Sequence, residues 1–349
     1  MASWTQRKEF VALDLGTANT IAYLGGQGII YNEPSYIAYD NFTNSIIASG
    51  EEAAEMLGKT NSDIRITVPL IDGVIADMDA AKDLIKIIFQ RIKLEGVLRK
   101  ALVVLACPSG VTELEKESLR QVLVDMGARK VLVEEEVKLS AIGAGINIQL
   151  SSGNLVVDIG GGTTDVAILS SGDIVVSRSI KVAGNNFNEE IRKYIRAEYN
   201  VLVGIKTAER IKKEIGALTK IDNSRTYRAY GRDVISGLPR EVVLSPEEVK
   251  NTLLSPFSKI TDLIVEVMEN TPAELAGDII RNKITICGGG ALIRGVDTYF
   301  ESIFQLGVKI APEPLLNVIE GAKQYEKNIE KWLEVVDLRD AASTFASFK

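Results

Sequence analysis

The chain has 349 residues, of which 46 % are hydrophobic and 25 % are charged, and its formal net charge is −7. This composition supports a large core in about two domains, and the absence of a basic stretch excludes nucleic acid as a partner. There is no histidine, which excludes histidine-dependent catalysis, and the two cysteines, Cys107 and Cys287, are expected to be buried in a reducing compartment. With no signal sequence and no membrane-spanning run predicted, we expect a cytoplasmic protein.

The first motif lies near the N-terminus, in residues 10–24 (FVALDLGTANTIAYL). An apolar run ends at Asp14, passes through Gly16 and Thr17, and resumes as a second apolar run, which predicts two strands joined by a tight turn. Glycine lets an anion approach backbone N–H groups closely, and an aspartate at a strand end can hold a cation through water. The motif therefore predicts a phosphate loop.

The next 130 residues predict a mixture of strands and helices. In order they are strands within residues 27–39, a small inserted lobe over 40–70, a helix after 77, a buried strand over 101–108, a helix opened by a Thr112–Glu115 capping box, a strand over 131–133 and a helix that starts at Glu134–Glu136.

The central motif, residues 155–169 (LVVDIGGGTTDVAIL), repeats the order of strand, aspartate, glycine, threonine and strand. A single GGG would fit an ordinary turn equally well, but the second copy argues against coincidence. Phosphate with magnesium is the natural occupant of such a turn.

The remaining chain predicts a second inserted lobe and a third glycine motif. The predicted elements are strands over 174–177 and 180–182, helices over 186–199 and 207–216, a polar β-rich lobe over 219–243, a helix from a Ser245 capping box to Asn270, and a terminal helix over 317–336. Residues 284–293 (ITICGGGALI) form a strand that enters three glycines before a helical start, where backbone N–H groups suit a nucleotide.

Taken together, the motifs resemble the actin, Hsp70 and sugar-kinase superfamily and, within it, the MreB family of bacterial actins. The matching segments are DLGTANT, NEPS at 32–35, DGVIAD at 72–77, PSGVT at 108–112, DIGGGTTD, TAERIK, GRD and GLPR around 231–240, and GGGALIRG. The resemblance implies an α/β, actin-like ATPase fold of two ribonuclease-H-like domains around a nucleotide cleft, each with a small inserted subdomain. The implied subdomains are IA (1–32, 67–145 and 317–349), IB (33–66), IIA (146–182 and 244–316) and IIB (183–243).

The resemblance also implies the residues of an ATP/ADP site. They are Gly16, Thr17, Ala18 and Asn19 in the first loop, Gly160, Gly161, Gly162 and Thr163 in the second, Glu209, Arg210, Ile211 and Lys212 beside adenosine, and Gly289, Gly290, Ala291 and Leu292 in the third loop. Asp14 and Asp158 are expected to hold Mg²⁺ through water. By composition alone, residues 209–212 would equally suit a solvated charged helix.

For hydrolysis, a carboxylate must orient the attacking water in line with the γ-phosphate. By the resemblance this carboxylate is Glu136, with Thr163 as its partner across the cleft, although three successive glutamates would also suit a solvated helix N-terminus. The family usually has Pro-Met after this glutamate, whereas this chain has Val137-Lys138, which puts the hydrolysis rate in question. Such departures resemble the divergent paralogues of wall-less helical bacteria.

The resemblance also implies contact with a membrane. Members of the family bind membranes through an N-terminal amphipathic helix or an apolar loop, and residues 1–9 are too short and polar for the helix. In the matching loop, Val97 and Leu98 are the residues that would insert, with basic neighbours facing anionic lipid. A surface loop with two scattered apolar residues is an equal alternative.

The predicted function is a cytoskeletal filament protein that binds and slowly hydrolyses ATP, located in the cytoplasm at the inner face of the membrane. Its expected partners are further copies of itself in paired protofilaments, paralogous filament proteins and an anionic membrane surface. A small-molecule kinase is the alternative, but no substrate motif is evident. An Hsp70-type chaperone would need a peptide-binding domain after the third glycine loop, where too few residues remain.

Overall fold

A computed structural model of the chain describes residues 9–91, 98–99, 101–128, 130–219 and 225–328. Its backbone divides into two compact units, one of Met1–Gly145 with Leu316–Lys349 and the other of Ile146–Leu315. The subdomain boundaries implied by the resemblance stay a prediction.

The elements follow in chain order. Up to residue 145 they are β1 (Glu9–Leu15), β2 (Asn19–Leu24), β3 (Gly28–Pro34), β4 (Ile37–Asp40), β5 (Ile46–Ser49), α1 (Glu51–Met56), β6 (Ile64–Thr67), β7 (Leu70–Ile71), β8 (Val74–Ile75), α2 (Met78–Arg91), β9 (Ala101–Cys107), α3 (Glu113–Asp125), β10 (Lys130–Glu135) and α4 (Glu136–Gly143). After it they are β11 (Asn154–Ile159), β12 (Thr164–Ser170), β13 (Asp173–Ile180), α5 (Gly184–Tyr199), β14 (Val201–Leu202), α6 (Ile205–Ile215), β15 (Tyr227–Asp233), β16 (Pro239–Leu244), α7 (Pro246–Glu269), α8 (Ala273–Asn282), β17 (Ile284–Cys287), the 3₁₀ turn Gly289–Leu292, α9 (Val296–Phe304), β18 (Val308–Ile310), α10 (Asn317–Lys323) and the 3₁₀ turn Gln324–Asn328.

The first unit is built on a five-stranded sheet in the order β10-β9-β1-β2-β3. Strands β1, β2 and β3 form an antiparallel meander, whereas β9 and β10 run parallel to β1. Both faces of β1 are buried, with Val11, Leu13 and Leu15 in one core cluster and Phe10 and Ala12 in another. A strand buried on both faces is a near-continuous apolar run, which is why β1 and β9 could be predicted from the sequence.

The second unit repeats this arrangement in a sheet of order β13-β12-β11-β17-β18. Strands β11, β12 and β13 form the antiparallel meander, and β17 and β18 run parallel to β11. One apolar cluster fills this unit, with Phe187 of α5 stacked on Phe257 of α7 at 4.9 Å between ring centroids. The duplicated motif of the sequence therefore corresponds to a duplicated sheet topology.

Each unit also carries a small three-stranded sheet, β5-β4-β6 in the first and β14-β15-β16 in the second. Both predicted capping boxes are confirmed, because Thr112 and Ser245 each accept a hydrogen bond from the backbone of the glutamate three residues later. The predicted terminal helix over 317–336 begins at Asn317 as expected, but α10 ends at Lys323 and a 3₁₀ turn follows; residues 329–336 of this prediction lie outside the described residues.

Candidate functional site

The first glycine loop joins β1 to β2 in the first unit. Its backbone is held by buried Ser35, whose hydroxyl donates to the carbonyl of Gly16 at 2.6 Å and whose N–H donates to the carbonyl of Ala18 at 3.0 Å. Asn19 donates from Nδ2 to Oδ1 of Asn32 at 3.0 Å. Ser35 and Asn32 belong to the NEPS segment, to which the sequence assigned no role. Their hydrogen bonds fix the loop that carries Thr17 and Ala18.

The carboxyl ends of three parallel strands place acidic residues on one edge of the first sheet. Asp14 of β1 is in register with Ala106 of β9, and Ala106 is in register with Glu134 of β10. Burial, the nearby charge of Glu136 and that of Asp14 raise the pKa of the Cys107 thiol at the end of β9. Asp14 and Glu136 therefore lie near the same strand end, the usual place for a ligand site in such a sheet.

Three successive glutamates, which span the end of β10 and the start of α4, have different surroundings. Glu134 is buried and forms an ion pair with Lys138, with Oε2 and Nζ separated by 3.4 Å. Glu135 accepts a hydrogen bond from the hydroxyl of Ser109 at 3.1 Å. A solvated helix N-terminus does not describe Glu134, which lies in β10 and is only 7 % exposed.

The second glycine loop joins β11 to β12 in the second unit. Gly160 donates from its N–H to the carbonyl of Thr163 at 2.9 Å, which closes the turn, and Asp158 and Thr163 are each 7 % exposed. The first turn of α5 packs against this loop, since Gly184 and Asn185 donate from their N–H groups to the carbonyls of Gly160 at 3.1 Å and Gly161 at 2.8 Å. These loop contacts of α5 were not predicted from the sequence.

The third glycine loop follows β17, which lies beside β11 with Cys287 in register with Asp158. A Cβ atom at Gly288 would overlap the Asp158 carboxylate, and one at Gly290 would overlap the side chain of Ile159. Only glycine allows such a close approach of two backbones. The second and third loops therefore meet at one edge of this sheet.

Among residues 209–212, Lys212 is bonded to the first residue of α5, which in turn contacts the second loop. Its ammonium donates to the carbonyl of Gly184 at 2.9 Å, and burial lowers the pKa of Lys212 to about 8. Glu209 pairs with Lys213 at 2.6 Å, and Arg210 is exposed on the same helix. The side chain of Ile211 is fully buried in the core of the second unit, so the contact of Ile211 with a nucleotide stays a prediction for its backbone.

The residues of the third loop differ in their exposure to solvent. Gly290 and Ala291 are buried, whereas the side chain of Leu292 is 56 % exposed. Within this loop, a ligand could therefore contact the backbone and the exposed side chain of Leu292.

The predicted membrane loop lies largely outside the described residues, including Val97. Leu98 is described and is fully buried in the core of the first unit, so the prediction that Leu98 inserts into a membrane is wrong. A buried leucine contributes to that core instead. Within the described ranges, no helix has the length and apolar character needed to cross a membrane.

Asp14 in the first unit and Asp158 in the second each fit the chemistry that magnesium requires of a protein ligand. Both are buried carboxylates at strand ends beside glycine loops. Over the part of the chain that the structure describes, no three His, Cys, Asp or Glu side chains gather into a protein-only metal site. Magnesium normally keeps several waters and takes one or two carboxylates, so these residues suit an ion held largely through water.

The repeated sheet, the phosphate-type loops and the strand-end aspartates define an actin-like α/β fold. Solved structures agree, since the chain matches MreB 5 of Spiroplasma citri bound to AMPPNP with 61 % identity and a TM-score of 0.91, covering 94 % of this chain and 99 % of that one. The MamK double helical filament shows the same fold at 20 % identity and a TM-score of 0.73, covering 91 % of this chain and 98 % of that one.

Sequence comparison then gives the family. The MreB/Mbl protein family model matches residues 8–334. The cell shape-determining protein Mbl of Bacillus subtilis is 39 % identical, covering 92 % of this chain and 96 % of that protein, and the cell shape-determining protein MreB of Escherichia coli is 37 % identical, covering 94 % of each. The chain belongs to the MreB/Mbl family.

Proposed function

We propose that this chain is a cell-shape-determining bacterial actin that binds ATP and ADP with Mg²⁺, hydrolyses ATP slowly and polymerises. The observation that carries the proposal is the strand–loop–strand turn with a buried aspartate, present once in each unit at Asp14 and Asp158. Family membership supports it, and the related MreB5 of Spiroplasma citri has been solved bound to AMPPNP and to ADP. The kinase alternative has no support from these relatives.

The two hairpin loops would bind the phosphates. The third loop and helix α6, which carries Lys212, would bind the nucleoside. Backbone N–H groups and the hydroxyls of Thr17 and Thr163 are suitable donors for phosphate oxygens. When bound, Mg²⁺ would neutralise phosphate charge, with Asp14 and Asp158 holding its water ligands.

In hydrolysis, Glu136 would orient the attacking water and Thr163 would assist it from the second hairpin loop. Glu136 suits this role because it starts α4 at the same sheet edge as Asp14. Positioning is the main contribution that a protein makes to phosphoryl transfer, because the transition state is largely dissociative. The exact placement of one carboxylate can therefore decide the rate.

Polymerisation would follow from a head-to-tail contact between copies, since a heterologous interface that does not close gives an open filament. The nucleotide can control assembly only through different affinities for two conformations of the chain. We propose a cytoplasmic, cytoskeletal location at the inner membrane face, with paired protofilaments, paralogous filament proteins and anionic lipid as partners. The filaments would determine cell shape, as the names of the Mbl and MreB relatives indicate, or helicity and motility if the cell has no wall.

Pelleting, negative-stain microscopy and phosphate release, followed in the same samples with ATP, ADP or no nucleotide, test the proposal. We expect filaments that depend on ATP and slow phosphate release that Glu136→Ala abolishes. Glu135→Ala is the matched control, because Glu135 is bonded to Ser109 and should retain hydrolysis. A monomer under all conditions that turns over ATP only with an added metabolite would contradict the filament and favour a kinase.

A further inference from the structure

An ion pair joins the end of a strand to the first turn of the helix that carries Glu136. Glu134 belongs to β10 and Lys138 to α4, and their Oε2 and Nζ atoms are 3.4 Å apart. Their side chains are 7 % and 13 % exposed, so the pair is shielded from solvent. Glu136 lies between the two residues in the chain, on the segment that this ion pair spans.

The other side of α4 is fixed by a helix that packs on it through backbone. A Cβ atom at Gly321 of α10 would overlap the carbonyl of Leu139, and one at Gly143 would overlap the carbonyl of Asn317. Val137 is also fully buried. The later turns of α4 are therefore held by packing, and the Glu134–Lys138 pair holds the first.

A shielded ion pair restrains the backbone between its two partners, because separating two charges that are hidden from solvent is costly. The Glu134–Lys138 pair therefore restrains the segment that carries Glu136.

We propose that Lys138 is a positioning residue for hydrolysis, which acts through its ion pair with Glu134 to hold Glu136 toward the nucleotide. This inference rests on the proposed ATPase activity, and it assigns Lys138 a role that its distance from the glycine loops in the chain would not suggest.

The test compares Lys138→Met, Glu134→Gln and Lys138→Arg with the unmodified chain. Phosphate release gives kcat, and a fluorescent ATP analogue gives the dissociation constant. Since small misplacement of a catalytic group is costly, we expect Lys138→Met and Glu134→Gln to lower kcat by about tenfold or more. Nucleotide affinity should stay within about twofold, because the phosphate loops are untouched, and Lys138→Arg should retain most of kcat.

The decisive control is Lys138→Arg, which keeps the positive charge beside Glu134. Retention of kcat in Lys138→Arg, beside its loss in Lys138→Met at unchanged nucleotide affinity, supports the positioning role. An unchanged kcat in Lys138→Met, or an equal loss of kcat in Lys138→Arg, would overturn the inference. ATP binding without phosphate release by the unmodified chain would instead contradict the proposed ATPase itself.

Discussion

At the scale of single residues, Lys212 is a cation in surroundings that disfavour its charge. Burial lowers its pKa from 10.5 to about 8, while its ammonium donates to the carbonyl of Gly184 beside the second glycine loop. At a pH between these two values, Lys212 is protonated in the unfolded chain and deprotonated in the folded chain. Stability therefore rises with pH through this window.

We predict that raising the pH from about 7.5 to 9.5 increases the free energy of unfolding by about 2 kcal/mol through Lys212. Lys212→Met should remove this increase, because methionine carries no proton in either state. Denaturant titrations of both proteins at the two pH values make the comparison. The same pH dependence in both would show that other groups cause it. Cys107, Cys287 and the buried tyrosines, whose pKa values are raised in the folded chain, lower the free energy of unfolding as the pH rises, but they do so equally in both proteins. The difference between the two proteins therefore measures the effect of Lys212.

Individual residues were the least predictable part of the site. Asp14 and Asp158 could be placed because each ends an apolar strand before a glycine loop. The burial of the Ile211 and Leu98 side chains was not foreseen, because a local match does not show which side of a helix or loop faces the core. The partner of Lys138 could not be predicted either, since burial of Glu134 depends on the neighbouring strand β9.

At the scale of elements, contact between α4 and α10 depends on two glycines. Each lies where a Cβ atom would overlap a carbonyl of the facing helix, Gly143 against Asn317 and Gly321 against Leu139. Helices this close leave no room for repacking of side chains, because the obstacle is backbone.

We predict that Gly321→Ala lowers the free energy of unfolding by about 3 kcal/mol or more, since overpacking a rigid contact forces the helices apart. Gly277→Ala is the matched control, because Gly277 also lies within a helix but has open space around it. Alanine there should stabilise the chain by up to about 1 kcal/mol through helix propensity. Denaturant titration measures both variants, and equal effects would contradict the packing argument.

Elements with a local signal were predicted well. The capping boxes at Thr112 and Ser245 start helices as expected, because the signal lies within four residues. The terminal helix was predicted as one continuous helix, since an apolar pattern does not reveal the change to 3₁₀ geometry after Lys323. The pairing of β17 beside β11 could not be derived from local pattern, because more than a hundred residues separate them in the chain.

At the scale of the whole molecule, ligand binding should stabilise the chain by mass action. A ligand at about 100 times its dissociation constant stabilises the folded state by about 2.7 kcal/mol. We predict that ADP with Mg²⁺ raises the Tm and that EDTA reverses most of this rise, because Asp14 and Asp158 would then face phosphate without a cation. Thermal unfolding with ADP, with and without EDTA, measures the effect. A rise that is insensitive to EDTA would argue against a role of the two carboxylates in holding the ion.

The duplicated topology also places the two cysteines at equivalent points, Cys107 at the end of β9 and Cys287 at the end of β17. Both thiols are buried, and burial with nearby carboxylates raises the pKa of each. Because the thiolate is the reactive species, neither sulfur is a good target for maleimide dyes. A cysteine introduced on the surface would consequently react first, so the natural chain already serves as a background for attaching a single fluorophore and following assembly in real time.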